Sequence, residues 1–307
     1  AEDFELIDGL MNIGVRAGNI KMLFAKEGGG LTSYQVEEKE FIVSVPRPNF
    51  WRAPTDNDKG SGMPLRCGCW KTASMYAKTM PAELKETKEG AEISYVYRLF
   101  DVAENIPGNE CKVTYGIRKD GALTIHMEYE ADEKIKIHEM PEFGMLLRIP
   151  EQYDKVTYYG YGPEENYWDR RQGSRLGKFH FSVKENLSEY LAPQESGGRS
   201  GVREAVIEDE NGYGLRISAK EMDFSALPYT PHELENARHL YELPDSEYTI
   251  LRPSLHQMGV GGDDSWLSKP HPQYRMEQPG KYEFTFTIKG GEKLETDKQN
   301  YADHLCR

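Results

Sequence analysis

The sequence has little that would suit a membrane or a nucleic acid. No apolar run approaches the roughly 18–20 residues needed to span a bilayer. The 38 Lys and Arg are outnumbered by 51 Asp and Glu, giving a net charge of −13, which is unsuited to phosphate backbones and anionic lipids. The first residues, Ala1-Glu2-Asp3, lack the basic and apolar stretches of a signal peptide. We therefore expect no nucleic-acid partner, no membrane partner and a cytoplasmic location.

Cysteine is also scarce, with four residues at positions 67, 69, 111 and 306. This density argues against a disulfide scaffold and favours reduced intracellular thiols. Cys67 and Cys69 are too close for a zinc knuckle, and the eight histidines are dispersed. The sequence predicts no metal site in this chain.

Common enzyme signatures are missing as well. The chain has no G-x-S-x-G elbow, phosphate loop, H-E-x-x-H pair or dinucleotide fingerprint. Helical spacing is rare: residues 231–241, with Pro231 at the start, are the best helix candidate, and residues 184–191 are a weaker one.

Alternation of apolar and polar residues dominates the chain instead. It is unbroken over 123–130 and nearly so over 93–99 and 282–289, with shorter cases at 179–183 and 156–158. Glycine-containing turns separate such runs. Alternation of this kind is typical of antiparallel sheets with one face on a core. The sequence predicts an all-β fold, a large antiparallel β-sandwich, with one domain over 1–290 and a polar tail over 291–307.

Three segments interrupt this strand pattern, and the first covers residues 50–60. Asp56, Asn57 and Asp58 resemble the start of a calcium loop, but the acids that would complete an EF-hand are missing. The structural interpretation is that these side chains cap turns while Arg52 pairs with a carboxylate. The edge of a binding site is the alternative.

The second segment covers residues 159–170 and combines aromatic rings with carboxylates and amides. Rings can stack on sugar C–H faces while polar groups bind hydroxyls. Glu164 and Glu165 suggest a glycosidase pair, but neighbours on an extended chain point in opposite directions. They cannot flank one glycosidic bond at the required spacing of roughly 5–9 Å. We interpret them as structural or rim residues.

The third segment, residues 256–266, has three glycines, then Asp263, Asp264 and Trp266. Glycines let the backbone bend tightly. An indole on a glycine-rich loop differs from a buried strand tryptophan, so we predict that Trp266 stacks on a ligand or lies in an interface.

Together and in this order, the three segments resemble the C-terminal domain of β-galactosidases of glycoside hydrolase family 2. In some bacteria that region is a separate small chain paired with a large chain. The resemblance extends from about residue 10 to about residue 290. It implies a galactose-mutarotase-like β-supersandwich and retaining hydrolysis of terminal β-D-galactosides. The catalytic glutamates and the metal ions would belong to a (β/α)₈ barrel that this chain lacks, so the chain itself would contain no catalytic residue and no cofactor.

The resemblance also implies roles for individual residues. Trp266 would lie against the sugar pocket, and Asp263 and Asp264 would hold the shape of its loop. His256 is a further candidate substrate-binding residue. Structural or interdomain roles are expected for Arg52, Asp56, Asn57, Asp58, Glu165 and Asn166. The loop at 101–110 falls where the family can have a mobile active-site loop.

The expected partners are a galactoside substrate and a catalytic barrel domain or large chain, with a homo-oligomer possible, and the isolated chain should be inactive. One alternative is a stand-alone carbohydrate-binding module or a mutarotase-like aldose epimerase. An epimerase would need an acid and a base that converge, such as His256 with Glu164 or Glu165. A scaffold domain that serves only assembly is another alternative.

Overall fold

The computed structural model describes residues 3–100, 110–134, 136–264 and 266–294. The strands in these ranges are β1 (Phe4–Asp8), β2 (Asn12–Ala17), β3 (Ile20–Ala25), β4 (Leu31–Val36), β5 (Lys39–Glu40), β6 (Ser44–Asn49), β7 (Lys78–Thr79), β8 (Glu83–Thr87), β9 (Gly90–Arg98), β10 (Glu110–Arg118), β11 (Leu123–Glu130), β12 (Glu142–Pro150), β13 (Lys155–Gly162), β14 (Arg175–Ser182), β15 (Arg199–Glu208), β16 (Tyr213–Leu227), β17 (Tyr248–Gln257) and β18 (Lys281–Glu292). The α-helices are α1 (Asp56–Gly60), α2 (Met63–Arg66), α3 (Gly68–Tyr76) and α4 (Pro231–Asn236), and single 3₁₀ turns lie at Leu240–Glu242 and Pro272–Tyr274.

The strands form two sheets. The smaller sheet has the order β1-β2-β3-β4-β5, and the larger one has the order β14-β13-β15-β16-β18-β11-β10-β9-β7. Beyond this path, β8 pairs with β9, and β17 pairs with β16 and β12, which in turn pairs with β6. Pairing is antiparallel throughout these strands. The prediction of an all-β, antiparallel fold is confirmed.

The alternation in the sequence corresponds directly to the strands. In β11 the residues from Leu123 onward alternate between buried and half-buried positions, as the two-residue period requires. Both sheets contribute to one hydrophobic core. For example, Phe24 of β3 packs edge-on against Tyr115 of β10, with ring centroids 5.3 Å apart.

The helices agree less well with the predictions. The predicted helix at 231–241 begins correctly at Pro231 but ends at Asn236. Thr230 and Glu233 form a capping box at its start, whereas the next residue after the helix, Ala237, is extended. The prediction of a helix at 184–191 was wrong, because that segment consists of turns, bends and irregular backbone. The longest helix of the described ranges has nine residues, and no helix there is long and apolar enough to cross a membrane.

Strand pairing explains why the first and third segments meet. Strand β12 lies between β6 and β17, and its Gly144 is opposite both Asn49 and Ser254. The first segment begins directly after Asn49, and the third begins two residues after Ser254. A Cβ at Gly144 would lie 2.5 Å from the Pro253 oxygen, so the close approach of these strands requires glycine.

Strand β18 extends to Glu292, two residues beyond the proposed domain boundary. Residues 295–307, most of the proposed tail, lie outside the described residues, and so do residues 101–109 of the proposed mobile loop.

Candidate functional site

The first segment forms a buried anchor around Arg52. Thr55 and Asp58 make a capping box that starts α1. The fully buried guanidinium of Arg52 donates to the two carboxylate oxygens of Asp58 at 2.8 and 3.0 Å. It also donates to the backbone oxygens of Met258 at 2.5 Å and Gly259 at 3.0 Å. One side chain therefore connects the first segment to the base of the third.

Electrostatics favours the charged form of this arginine. Burial acts to lower the pKa of Arg52, but the carboxylates of Asp58 and Glu195 outweigh it, so the pKa lies above its ordinary value. The Nε atom of Arg52 is buried and has no hydrogen-bond partner.

Asn57 and the second segment hold the rest of the loop base. Asn57 Nδ2 donates to the Val260 oxygen at 3.2 Å, and the Gly261 N–H donates to Asp169 Oδ2 at 2.8 Å. A Cβ at Gly259 would lie 2.7 Å from the same Asp169 oxygen, so this contact requires glycine. The three segments, far apart in the sequence, thus meet at one place.

Asn166 and Glu165 of the second segment make hydrogen bonds within the chain. Asn166 is buried, donates to the oxygens of Tyr161 and Glu164, and accepts from the backbone N–H and hydroxyl of Ser200. Glu165 accepts hydrogen bonds from the side chains of Arg170 at 2.7 Å and Tyr190 at 3.3 Å, and from the Gly197 N–H at 2.7 Å. The side chains of Asn166 and Glu165 are therefore used within the chain, and the interpretation of Glu164 and Glu165 as structural or rim residues stays a prediction.

The tip of the third segment, defined as residues 263, 264 and 266 together with the following Leu267, is exposed and held by local contacts. Asp264 accepts a hydrogen bond from the Trp266 N–H at 2.7 Å. Asp263 Oδ1 lies 2.8 Å from His271 Nε2. The Trp266 residue is 85% exposed. The anchored loop therefore presents an indole to its surroundings.

His256 and Asp56 lie elsewhere around this loop. The imidazole of His256 stacks on Trp168 with ring centroids 4.2 Å apart, and its Nδ1 is 3.5 Å from Asp223 Oδ2. Neither neighbour is Glu164 or Glu165, so the described contacts do not pair His256 with the acids that an epimerase would need. Asp56 is exposed and exchanges two hydrogen bonds with Gln194, each 3.1 Å long.

A small cavity of about 130 Å³ lies between the first and second segments. Its lining includes Asp56, Glu165, Tyr167 and Glu195. The hydroxyl of Tyr167 and one carboxylate oxygen of Glu195 are buried without a hydrogen-bond partner. This volume is sufficient for a few water molecules, which would satisfy such atoms.

Beneath the anchor is a charged network that sequence reasoning missed. Arg252 donates to Glu195 at 2.6 Å and lies 3.6 Å from Glu142, and all three side chains are buried. Asn49 and Ser254 donate to Glu142. Burial raises the pKa of Glu142 to about 7, and Arg252 only partly offsets this rise.

A signal for this network was present in the sequence. Arg252 directly follows the apolar pair Ile250-Leu251 in a strand that is mostly buried, and Glu142 directly precedes the apolar part of β12. A charge inside a buried strand requires a partner of opposite charge, which would have directed attention to both positions.

The thiols take no part in this site. Cys67, Cys69 and Cys111 are unpaired and buried or half-buried, and burial raises the pKa of Cys67 to about 12. Thiols of this kind react slowly. Cys306 lies outside the described residues. Across the described ranges, no group of three or more His, Cys, Asp or Glu residues could hold a metal ion.

Known proteins resemble this chain in sequence and, more distantly, in structure. A family model described as "Beta galactosidase small chain" matches residues 16–288. The β-galactosidase of Halalkalibacterium halodurans is 38% identical over 287 residues, which cover 92% of this chain and 28% of that protein. The β-galactosidase of Priestia megaterium is 39% identical over 276 residues, covering 90% and 26%. This chain thus spans about a quarter of the length of these relatives.

A shorter relative matches from end to end. The β-galactosidase small subunit of Latilactobacillus sakei is 28% identical over 315 residues, covering 92% of this chain and 96% of that protein. Among solved structures, a galactose mutarotase related enzyme from Lactobacillus acidophilus has a TM-score of 0.49 at 12% identity, covering 94% of this chain and 100% of that one. From the match over 16–288 and the identities above 30%, the chain belongs to the β-galactosidase small-chain family.

Proposed function

We propose that this chain completes the sugar-binding pocket of a β-galactosidase whose catalytic glutamates lie outside it, on a barrel domain or large chain. The substrates would be terminal β-D-galactosides, hydrolysed with retention. Support comes from the family and from the chain's length, about a quarter of its longer relatives. The motifs of a complete hydrolase are missing from the sequence, so the chemical step is assigned to the larger part.

The exposed indole of Trp266 on its anchored loop is the observation that carries this proposal. Arg52, Asn57 and Asp169 hold the loop base from two other segments. A loop that is already ordered loses little conformational entropy when its tip binds a ligand. Trp266 would stack on a galactoside or its aglycone and orient it. Asp263 and Asp264 would keep the indole in position rather than contact the sugar.

The surroundings of the tip suit contact with the rest of the enzyme. Leu65 of α2 and Leu267 are 93% and 76% exposed. Helix α2 and the chain that follows the loop tip are connected through the Glu139 carboxylate. Its Oε1 atom lies 2.8 Å from the Arg66 guanidinium and 3.5 Å from the Lys269 ammonium. Exposed apolar side chains next to fixed ion pairs are typical of an interface with a polar rim. We assign this surface to contact with a barrel domain or large chain, corresponding to the part of the longer relatives that this chain does not span.

Substitution of Trp266 in the complete enzyme tests the proposal. Trp266→Ala should lower kcat/KM for a chromogenic galactoside by roughly two- to tenfold, the range expected for one lost aromatic contact. Tyr76→Ala, at an exposed aromatic residue of α3, is the matched control and should have wild-type kinetics. Unchanged kinetics of Trp266→Ala would remove Trp266 from the pocket.

The division of labour has its own test. The purified 307-residue chain should not hydrolyse the chromogenic galactoside, and activity should appear when the complementary part is added. Robust turnover by the purified chain alone would contradict a catalytic centre located elsewhere.

A further inference from the structure

A groove lies on the open face of the larger sheet, where His256 is located. One cavity of about 650 Å³ is lined by Trp168, His256 and Thr285, among others. A neighbouring cavity of about 440 Å³ is lined by Arg203 of β15 and by residues of β16 and β18. Both cavities include Lys220 and Thr285 in their lining, so they adjoin and form one extended groove.

The strand period explains the polar floor of the groove. On β18, Phe284 and Phe286 are buried, whereas Glu283 and Thr285 are exposed. On the adjacent strand β11, His126 Nδ1 lies 2.6 Å from Thr285 Oγ1. The floor therefore offers hydroxyl, imidazole and carboxylate groups at the spacing of neighbouring strands.

The wall beside this floor is aromatic and comes from the second and third segments. Trp168 stacks on His256 and meets Tyr274 edge-on, with ring centroids 5.7 Å apart. This stack holds the rings in place. The fixed rings beside a polar floor form a concave site of the size that small ligands use, within about 300–1,000 Å³.

Charge in the larger cavity is balanced. Its two cationic residues, Arg171 and Lys220, face two carboxylates, Glu221 and Glu283. Arg171 and Glu221 lie 3.8 Å apart. Arg203 lines the adjoining cavity and lies 3.4 Å from the same Glu221. Because Arg171 and Arg203 both lie beside this carboxylate, the groove offers hydrogen-bond donors and acceptors with little excess charge, which favours a neutral polyhydroxylated ligand over a phosphorylated or acidic one.

We propose that this groove binds a neutral oligosaccharide, with one sugar unit at the Trp168 wall and the next in the adjoining cavity over Lys220 and Thr285. The groove assigns His256 a role apart from the Trp266 tip, because His256 lines this cavity together with Trp168. The inference goes beyond the completed galactosidase pocket and does not depend on it.

Titration of the 307-residue chain with β-1,4-galactobiose, followed by calorimetry, tests this site. Lys220 and Thr285 are exposed, so the chain should still fold when either is substituted. Lys220→Met and Thr285→Val should each weaken galactobiose binding about two- to tenfold through one lost hydrogen bond. Lys289→Met, an exposed lysine farther along β18, is the matched control and should bind as the wild type does.

Four results would overturn the proposal. One is the absence of binding by the wild-type chain at tens of millimolar galactobiose. Another is binding that Lys220→Met and Thr285→Val leave unchanged. The third is binding that Trp266→Ala abolishes, which would place the sugar at the loop tip instead. A phosphorylated galactoside that binds more tightly than galactobiose would contradict the neutral ligand.

Discussion

The base and the tip of the third segment are built in opposite ways. The base is fixed by the buried ion pair of Arg52 and Asp58 and by hydrogen bonds to the oxygens of Met258 and Gly259. Among the described residues, the tip is held by short-range contacts of Asp263 and Asp264, and its indole is exposed. Residues of the same motif therefore divide into a buried part that determines shape and an exposed part that can meet a ligand.

This difference shows why a motif alone does not identify a binding residue. Asp58 in α1 and Asp264 in the loop tip are both motif aspartates. Asp58 is buried beneath a guanidinium, whereas Asp264 accepts a hydrogen bond from an exposed backbone. Substitutions at the base should therefore change the stability of the chain, and substitutions at the tip should change binding.

Arg52→Met should have the largest effect. It leaves the Asp58 carboxylate and two backbone oxygens buried without their donor, and breaking a buried pair costs about 3–5 kcal/mol. Urea unfolding of the chain measures the loss. Arg238→Met, at an exposed arginine, is the control and should change stability by less than about 0.5 kcal/mol. A similar small change for Arg52→Met would show that the buried anchor does not determine stability.

The network beneath the base should make stability depend on pH through Glu142. Its pKa is about 7 in the folded chain and 4.5 in the reference state, so the folded state binds this proton more tightly. The resulting stabilisation is fully present below pH 4.5 and is lost as the pH rises through 7, by about 3 kcal/mol in total.

Urea unfolding of the wild type and of Glu142→Gln at several pH values measures this pH-dependent stabilisation. The stability of the wild type relative to Glu142→Gln should fall between pH 4.5 and 7 and then stay constant. Glu210→Gln, at an exposed residue, should follow the wild type. A constant difference between wild type and Glu142→Gln would contradict the raised pKa.

Asp169→Ala should have an intermediate effect. The carboxylate accepts from the Gly261 N–H at 2.8 Å, and hydrogen bonds to charged groups contribute about 1.5–3 kcal/mol. Thermal or urea unfolding measures the loss. Asp263→Ala, at the exposed tip, is the matched control and should lower the free energy of unfolding by less. If both substitutions lowered the free energy of unfolding equally, the loop base and the loop tip would not differ in their contribution to stability.

The smallest effect on stability is expected for Trp266→Ala. Its exposed ring contributes little to the core, so the free energy of unfolding should stay within about 0.5 kcal/mol of the wild type. Trp70→Ala is the contrasting variant, because Trp70 is fully buried, and it should cost about 3–5 kcal/mol. A large loss from Trp266→Ala would show that the indole packs on the chain itself.

Local sequence patterns predicted the strands well but the helices poorly. Alternation identified β9, β11 and β18, because the two-residue period directly reports one buried face. The helix α3 was not predicted, although Trp70 and Ala73 are spaced for one helical face. In such short helices tertiary packing contributes more than intrinsic propensity.

Part of the candidate site could also be predicted. The acidic residues of the first segment suggested a carboxylate partner for Arg52, and Asp58 is that partner. The glycine-rich context suggested an exposed Trp266, as observed. The partners of His256 and the network of Glu142, Glu195 and Arg252 could not be predicted, because they depend on strands brought together from distant positions.

By itself, the sequence determined the strand-rich fold, the turns between strands and the presence of three unusual segments, since these follow from local periodicity and residue chemistry. Only the tertiary structure decided that the segments meet. Strand β12 pairs with both β6 and β17, and this long-range pairing lets Arg52 bind the base of a loop some two hundred residues away. Register between distant strands depends on packing of the whole core, which no local pattern contains.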